Sequence, residues 1–292
     1  MNAQPTCSQI HRRVARQLCE AGIENAAREA RWIGEEWVAD FAKRLLDRDD
    51  APVDDEALAR IEDAASRRAK GVPLQYVLGT VEFCGVELAV GPGVLIPRAE
   101  TECLVEQVLR GPHTPGPVLD LCCGSGAIGL ALAANEPARR VVATDASPVA
   151  VDCARRNAAR LGLGVDVRHG DLFEPVAGLR FAIVATNPPY VSDAEYADLD
   201  PSVRDHEPEH ALRAGREGLD FVRAIAEQAP EHLLPEGRVY CEIGDTQGES
   251  AAGCFRAAGF RSVRVLPDWA GRDRIVVARN PNACAEGEFE HE

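Results

Sequence analysis

Apolar residues recur every fourth position at Ile10, Val14 and Leu18, the spacing of one helix face, and Gly22 stands where that helix must stop. A second helical run begins near Asn25 and carries Trp32, Trp37 and Phe41, aromatics expected in a core. A third places Leu58, Ile61 and Ala65 on one stripe and ends near Gly71-Val72-Pro73. No alternating pattern interrupts these residues, which predicts a small helical domain over residues 1–75.

The texture changes at Tyr76. Residues 81–90 alternate apolar and polar side chains around Cys84-Gly85, a short hairpin signal. Residues 91–98 are too rich in Pro and Gly for a helix, and a helix follows at about residues 100–109. The hairpin and this helix form a predicted linker over residues 76–110.

Beyond Pro117 the pattern alternates strand and helix. Strands are predicted at residues 118–122, 140–144, 165–169, 181–186, 238–243, 263–266 and 274–278. Helices are predicted at residues 127–135, 148–161, 219–232 and 247–258. Apolar strands separated by helices make a parallel α/β sheet. The last two strands are joined by residues 267–273 alone, too short for a parallel crossover, so they must run antiparallel. This α/β domain is expected over residues 111–281, with a disordered acidic tail at residues 282–292.

Composition narrows the partners. The 292 residues hold 32 Lys+Arg against 47 Asp+Glu, a net charge of −15, which argues against a bulk grip on nucleic acid or an anionic membrane. No apolar run reaches the roughly 18 residues of a membrane span, and residues 1–13 lack the apolar core of a secretory signal. Ten cysteines in that setting read as cytoplasmic thiols used as small buried hydrophobes. Their spacing suits no zinc site, and no metal is expected. His206-Glu207-Pro208-Glu209-His210 spells a zinc-peptidase pattern, but Pro208 breaks the helix that such a site needs.

The candidate chemistry gathers at strand ends. The first α/β strand runs into Gly124-Ser125-Gly126-Ala127-Ile128-Gly129, a glycine-rich loop opening a helix, and Asp145 ends the next strand 19 residues after Gly126. Glycines admit a ligand to the backbone, and the acid accepts from ribose hydroxyls. Nicotinamide and S-adenosylmethionine (SAM) both satisfy that pattern. Asp120, just before the loop, suits the cationic end of SAM and would repel a pyrophosphate; Asp171 and Leu172 offer an acid and an apolar contact for adenine.

The fourth α/β strand ends in Asn187-Pro188-Pro189-Tyr190. That tetrapeptide is expected by chance in on the order of one in a thousand chains of this size. A planar NH₂ group is a poor nucleophile because its lone pair is delocalised. The Asn187 side-chain oxygen and the Pro188 carbonyl can both accept from it, and both bonds strengthen as positive charge develops on nitrogen. Pro188 and Pro189 stiffen the loop, and Tyr190 can pack on a flat substrate group.

Asn-Pro-Pro-Tyr after such a glycine loop resembles amino-methyltransferases of adenine or of protein glutamine. The closer resemblance is to the PrmC/HemK family of release factor glutamine N5-methyltransferases. It is carried also by Pro73-Leu74-Gln75-Tyr76, residues 79–83, the Val94-Leu95-Ile96-Pro97-Arg98-Ala99-Glu100-Thr101-Glu102 stretch, Glu207-Pro208, Gly218-Leu219-Asp220 and Ala270-Gly271-Arg272-Asp273-Arg274. The resemblance implies a seven-stranded Rossmann-like SAM-dependent methyltransferase domain, a small N-terminal helical domain that recognises substrate, and a β-hairpin linker. It implies methyl transfer to the glutamine of the Gly-Gly-Gln motif in class 1 peptide release factors; a monomer is expected. It assigns Cys122, Cys123, Gly124, Ser125, Gly126, Asp145 and Leu172 to SAM, and residues 187–190 to the substrate glutamine. Cys122-Cys123 replace the family's usual Gly-Thr, a departure that bears on SAM affinity. Adenine N6 or ribosomal-protein glutamine as substrate, a dehydrogenase, and a silent SAM-binding module remain alternatives at this level.

Overall fold

Thr6 accepts the amide of Gln9 while the Gln9 side chain accepts the amide of Thr6, a reciprocal cap that starts α1 (Cys7–Glu20). Cys7, Ile10, Val14 and Leu18 are its buried face. The computed structural model describes residues 4–46 and 52–280; the expected acidic tail, residues 282–292, lies outside them. By its internal contacts the chain divides into two units, residues 4–80 with 200–206 and residues 81–199 with 207–280.

In the first unit α1 packs with α2 (Ala26–Trp37), α3 (Phe41–Leu46), α4 (Asp55–Ala69) and the short α5 (Leu74–Leu78). The sequence predicts one run from Asn25 through Phe41, but the chain breaks at Asp40, which adopts φ 55°. Phe41 folds back onto Gly34, where a Cβ would lie 2.3 Å from the Phe41 ring. Trp32, expected in the core, is 36% exposed with the Arg28 guanidinium over its ring. Inside this unit Arg68 reaches Glu29 at 2.6 Å, both side chains largely buried.

The second unit opens with a hairpin, β1 (Thr80–Phe83) and β2 (Val86–Ala89). Its turn residues Cys84 and Gly85 both have positive φ, the primed turn that matches strand twist. The hairpin and the following α6 (Ala99–Arg110), expected as a linker over residues 76–110, pack into this unit's core. Phe83 and Leu88 are buried against the sheet's helices. Asn157 is wholly buried and bonds both the amide and the carbonyl of Ala89, at 2.8 and 3.0 Å.

The remaining elements are β3 (Val118–Leu121), α7 (Ala127–Asn135), β4 (Val141–Asp145), α8 (Pro148–Leu161), β5 (Val165–His169), β6 (Phe181–Thr186), α9 (Asp193–Asp198) and α10 (Pro201–Arg204). Then come α11 (Asp220–Gln228), β7 (Leu233–Glu242), α12 (Gly248–Ala257), β8 (Arg261–Pro267) and β9 (Asp273–Arg279). Of these, α10 belongs to the first unit.

Among the described residues the strands form a seven-stranded sheet in the order β5-β4-β3-β6-β7-β9-β8. Neighbours from β5 to β7 are parallel, and β9 runs antiparallel to both β7 and β8, as the short connection requires. Alternate strand residues serve opposite faces: Leu119 and Leu121 pack with α11 and α12, Val118 with α6 and α7. Burial on both faces explains the near-continuous apolar strands. The order reverses at β3, between β4 and β6, so the loops after β3, β4 and β6 meet at one edge.

Candidate functional site

The loop after β3 turns through three left-handed residues, Cys122 (φ 59°), Gly124 (φ 56°) and Gly126 (φ 84°). Gly126 needs its missing Cβ for packing, which would press on Leu130 and Ala154. Gly124 differs: a Cβ there meets nothing within 4 Å, because its Cα faces a cleft. That cleft encloses about 1060 Å³, open solvent at its mouth included.

Asp145 closes one side. Its Oδ2 accepts the Gly124 amide at 2.8 Å and its Oδ1 accepts the Ser147 amide at 2.8 Å. Ser147 then caps α8 through the Ala150 amide, so one short segment both fixes the acid and starts a helix. Burial raises the Asp145 pKa, opposed by those two amide bonds and by His210 and His169. Each oxygen keeps a lone pair for an incoming hydroxyl.

Cys122, Cys123, Ser125, Asp171, Leu172, Asn187 and Pro189 also border the cleft. Leu172 holds φ 42°, and its carbonyl accepts from the Thr144 hydroxyl at 3.3 Å. Asp171 is exposed at the rim.

Four expected site residues are not among those that border the cleft. Asp120 is fully buried and does not border the cleft. Its Oδ2 accepts the Gly129 amide at 2.7 Å, while Oδ1 has no partner. Gly129 lies in the first turn of α7, where amides lack helical partners, and its missing Cβ gives the carboxylate room. Burial pushes the Asp120 pKa up to about 7. The acid therefore secures the loop-to-helix turn through the Gly129 amide. Gly126 packs against Leu130 and Ala154, and buried Pro188 stands between Asn187 and Pro189, which both border the cleft. Tyr190 is the fourth: burial raises its hydroxyl pKa, and Glu242, Arg274, Arg98 and Glu100 act on it.

Asn187 is the polar residue of the β6 loop on the wall. Its Nδ2 donates to the Thr101 hydroxyl at 3.0 Å, which leaves its carboxamide oxygen to serve the cleft.

Residues 9–79 match the PrmC N-terminal domain model, and residues 99–200 match the methyltransferase small domain. The release factor glutamine methyltransferase of Geobacter sulfurreducens is 43% identical over 263 residues, 90% of this chain and 92% of that one. That of Cereibacter sphaeroides is 44% identical over 269 residues, 91% of this chain and 96% of that one. The chain belongs to the release factor glutamine methyltransferase family. A Pyrococcus furiosus methyltransferase structure superposes with TM-score 0.53 at 18% identity, covering 68% of this chain and 90% of that one. The T. thermophilus 16S rRNA methyltransferase RsmC, in complex with AdoMet and guanosine, gives TM-score 0.50 at 20% identity, covering 69% of this chain and 49% of that one. At such identities the likeness concerns the fold, which is the Rossmann-like methyltransferase fold.

SAM is the cofactor of this methyltransferase, and the cleft fits it. The open cradle at Gly124 admits a backbone contact, Asp145 offers acceptors for ribose hydroxyls, and Leu172 offers an apolar wall.

Sequence reasoning missed several residues that hold this family's site together. Glu207 is buried; it accepts the Ile96 amide at 3.0 Å and pairs with Arg98 at 2.5 Å. It thereby pins residues 94–97, of which Val94, Leu95 and Pro97 border the cleft. Within the zinc-peptidase-like pattern the backbone carries a 3₁₀ turn at Glu209–Ala211, and Glu207 is committed to Arg98. Glu102 accepts the Cys84 amide at the hairpin turn. Gln247 donates to the Tyr190 carbonyl at 2.8 Å and the Gly218 carbonyl at 3.2 Å, holding the loop after β6. A Cβ at Gly218 would lie 2.3 Å from that Tyr190 oxygen, which accounts for the glycine. The grouping of Arg98, Glu102, Glu207 and Gly218 into motifs hinted at these roles, but the ties run from 18 residues for Glu102 to 111 for Glu207.

Proposed function

We propose that this enzyme transfers the SAM methyl group to the side-chain amide nitrogen of the glutamine in the Gly-Gly-Gln motif of class 1 release factors. The observation that carries this reading is the Asn187 carboxamide, tied through Nδ2 to Thr101 on the wall that also holds Gly124 and Asp145. Bound SAM supplies an electrophilic methyl on a cationic sulfur. Gly124 and Asp145 hold the adenosine end, with Leu172 against the base. The Asn187 oxygen and the Pro188 carbonyl accept the two hydrogens of the substrate NH₂, orienting its nitrogen for in-line attack. As the N–C bond forms and the S–C bond breaks, charge grows on nitrogen and both acceptors bind more tightly. The extra proton leaves to water, so no general base is required.

The helical unit serves substrate recognition in this reading. The enzyme works as a cytoplasmic monomer, with no stable hold on nucleic acid or membrane. The net charge of −15 supports a protein substrate over DNA, and among the described residues no helix is long and apolar enough to cross a membrane. Incubation with labelled SAM and an unmodified release factor, followed by mass mapping, tests the proposal. Label on the Gly-Gly-Gln glutamine is expected. Label on DNA, or on no protein glutamine, overturns it.

A further inference from the structure

The two ends of a carboxamide are nearly equal in shape, so what faces the cleft depends on what holds the other end. At Asn187 that holder is the Thr101 hydroxyl, on the first turn of α6 and 3.0 Å from Nδ2. A hydroxyl has one hydrogen to give and can also accept. If the hydrogen turned to Asn187, it would draw the carboxamide oxygen inward and present NH₂ to the substrate. Two facing NH₂ groups repel, and the acceptor would be lost.

Glu242 removes that choice. It ends β7, is fully buried, and neither of its oxygens is engaged by a well-aligned donor. The donors within its reach are the Thr101 and Tyr190 hydroxyls. A carboxylate only accepts, so it draws the Thr101 hydrogen to itself and leaves Thr101 an acceptor for Asn187. A buried acid with unsatisfied oxygens beneath a reactive loop otherwise lacks a reason to be there.

We infer that Glu242 and Thr101 form a positioning relay that keeps the Asn187 oxygen turned toward the substrate amide. The inference rests on the proposed reading of Asn187 as acceptor. Glu242 does not border the cleft; Thr101 does, and its role in the relay is exerted through Asn187. A protonated Glu242 can donate to Thr101, freeing its hydrogen for the Asn187 oxygen, so the relay works only with Glu242 ionised. Burial pushes the Glu242 pKa up to about 7. The charged or titratable groups facing it are Glu100 and Cys103 of α6, Tyr190 of the substrate loop, Cys241 of its own strand and Arg274 of β9, itself paired with Asp268 at 3.3 Å.

The test measures kcat on an unmodified release factor and SAM affinity by calorimetry for Thr101→Val, Thr101→Ser, Glu242→Gln and Asn187→Ala. Thr101→Val is expected to lower kcat about tenfold or more, as lost orientation does, with SAM affinity within about twofold. Thr101→Ser restores most of the rate. Wild-type kcat falls as the pH drops through about 7, and Glu242→Gln, which cannot titrate, loses that acid limb. Wild-type kcat in Thr101→Val beside an inactive Asn187→Ala overturns the relay and leaves the reading of Asn187 intact. An active Asn187→Ala overturns that reading itself. Should Thr101→Val fail to bind SAM, the Glu242→Gln profile decides: an unchanged acid limb overturns the relay.

Discussion

The Gly124 amide donates to Asp145 at 2.8 Å, so the residue that opens the glycine cradle and the acid that closes the cleft are one hydrogen-bonded unit. Asp145→Ala removes a ribose acceptor and this restraint together. SAM affinity is expected to fall about tenfold or more, the equivalent of one charge-assisted hydrogen bond. Calorimetric titration with SAM checks it.

Asn187→Ala deletes an acceptor that matters most once charge develops on the substrate nitrogen. The expected loss in kcat is about 10²–10³, in line with removal of one transition-state hydrogen bond. SAM binding should stay within about twofold, because Asp145 and the glycine loop are untouched.

Glu207→Ala cuts the Ile96 and Arg98 ties at once. The wall made by Val94, Leu95 and Pro97 then loses its anchor, and weaker SAM binding is expected without loss of the sheet. Near-ultraviolet circular dichroism with and without SAM separates a loosened wall from a misfolded protein. Unchanged SAM affinity would show that Glu207 does not hold the wall.

Cys122 adopts φ 59°, a left-handed conformation that costs a side-chain-bearing residue about 1 kcal/mol or more. Its side chain also borders the cleft. Cys122→Gly relieves the left-handed backbone and removes the side chain from the cleft, and is expected to tighten SAM binding. Equal or weaker binding argues that the thiol contributes a contact of its own.

Asp120 ties stability to pH. Its pKa is 3.8 when unperturbed and about 7 when folded, so the folded state binds the extra proton between these values. Its contribution is fully present below about pH 4 and is lost as the pH rises through about 7. Asp120→Asn keeps an acceptor for Gly129 without the buried charge. The melting temperature of the variant relative to wild type should therefore rise between pH 5 and pH 8, and a flat difference would refute it.

Local signals carried much of the architecture. The helix-face spacing of Ile10, Val14 and Leu18, the apolar strands, and the glycine loop before α7 are patterns within a few residues of each other, where propensity and burial act directly. Their failures are equally local in origin. The run from Asn25 to Phe41 keeps helical texture, yet the chain turns at Asp40 and Phe41 packs against Gly34. Asp120 stands out for its place before the loop, but nothing local shows that its carboxylate accepts the Gly129 amide in the first turn of α7.

The sequence by itself determined the seven strands and their alternation with helices, the glycine loop at Gly124, and the placing of Asp145 and Asn187-Pro188-Pro189-Tyr190 at strand ends. Those depend on residue type and short spacing. Only the tertiary structure decided which way these groups face. Thr101 lies 86 positions from Asn187, and Glu207 lies 111 from the Ile96 amide it holds. A hydrogen bond reaches about 3 Å in space but leaves no period along the chain. Orientation within the site therefore becomes visible only once the sheet has brought its distant ends together.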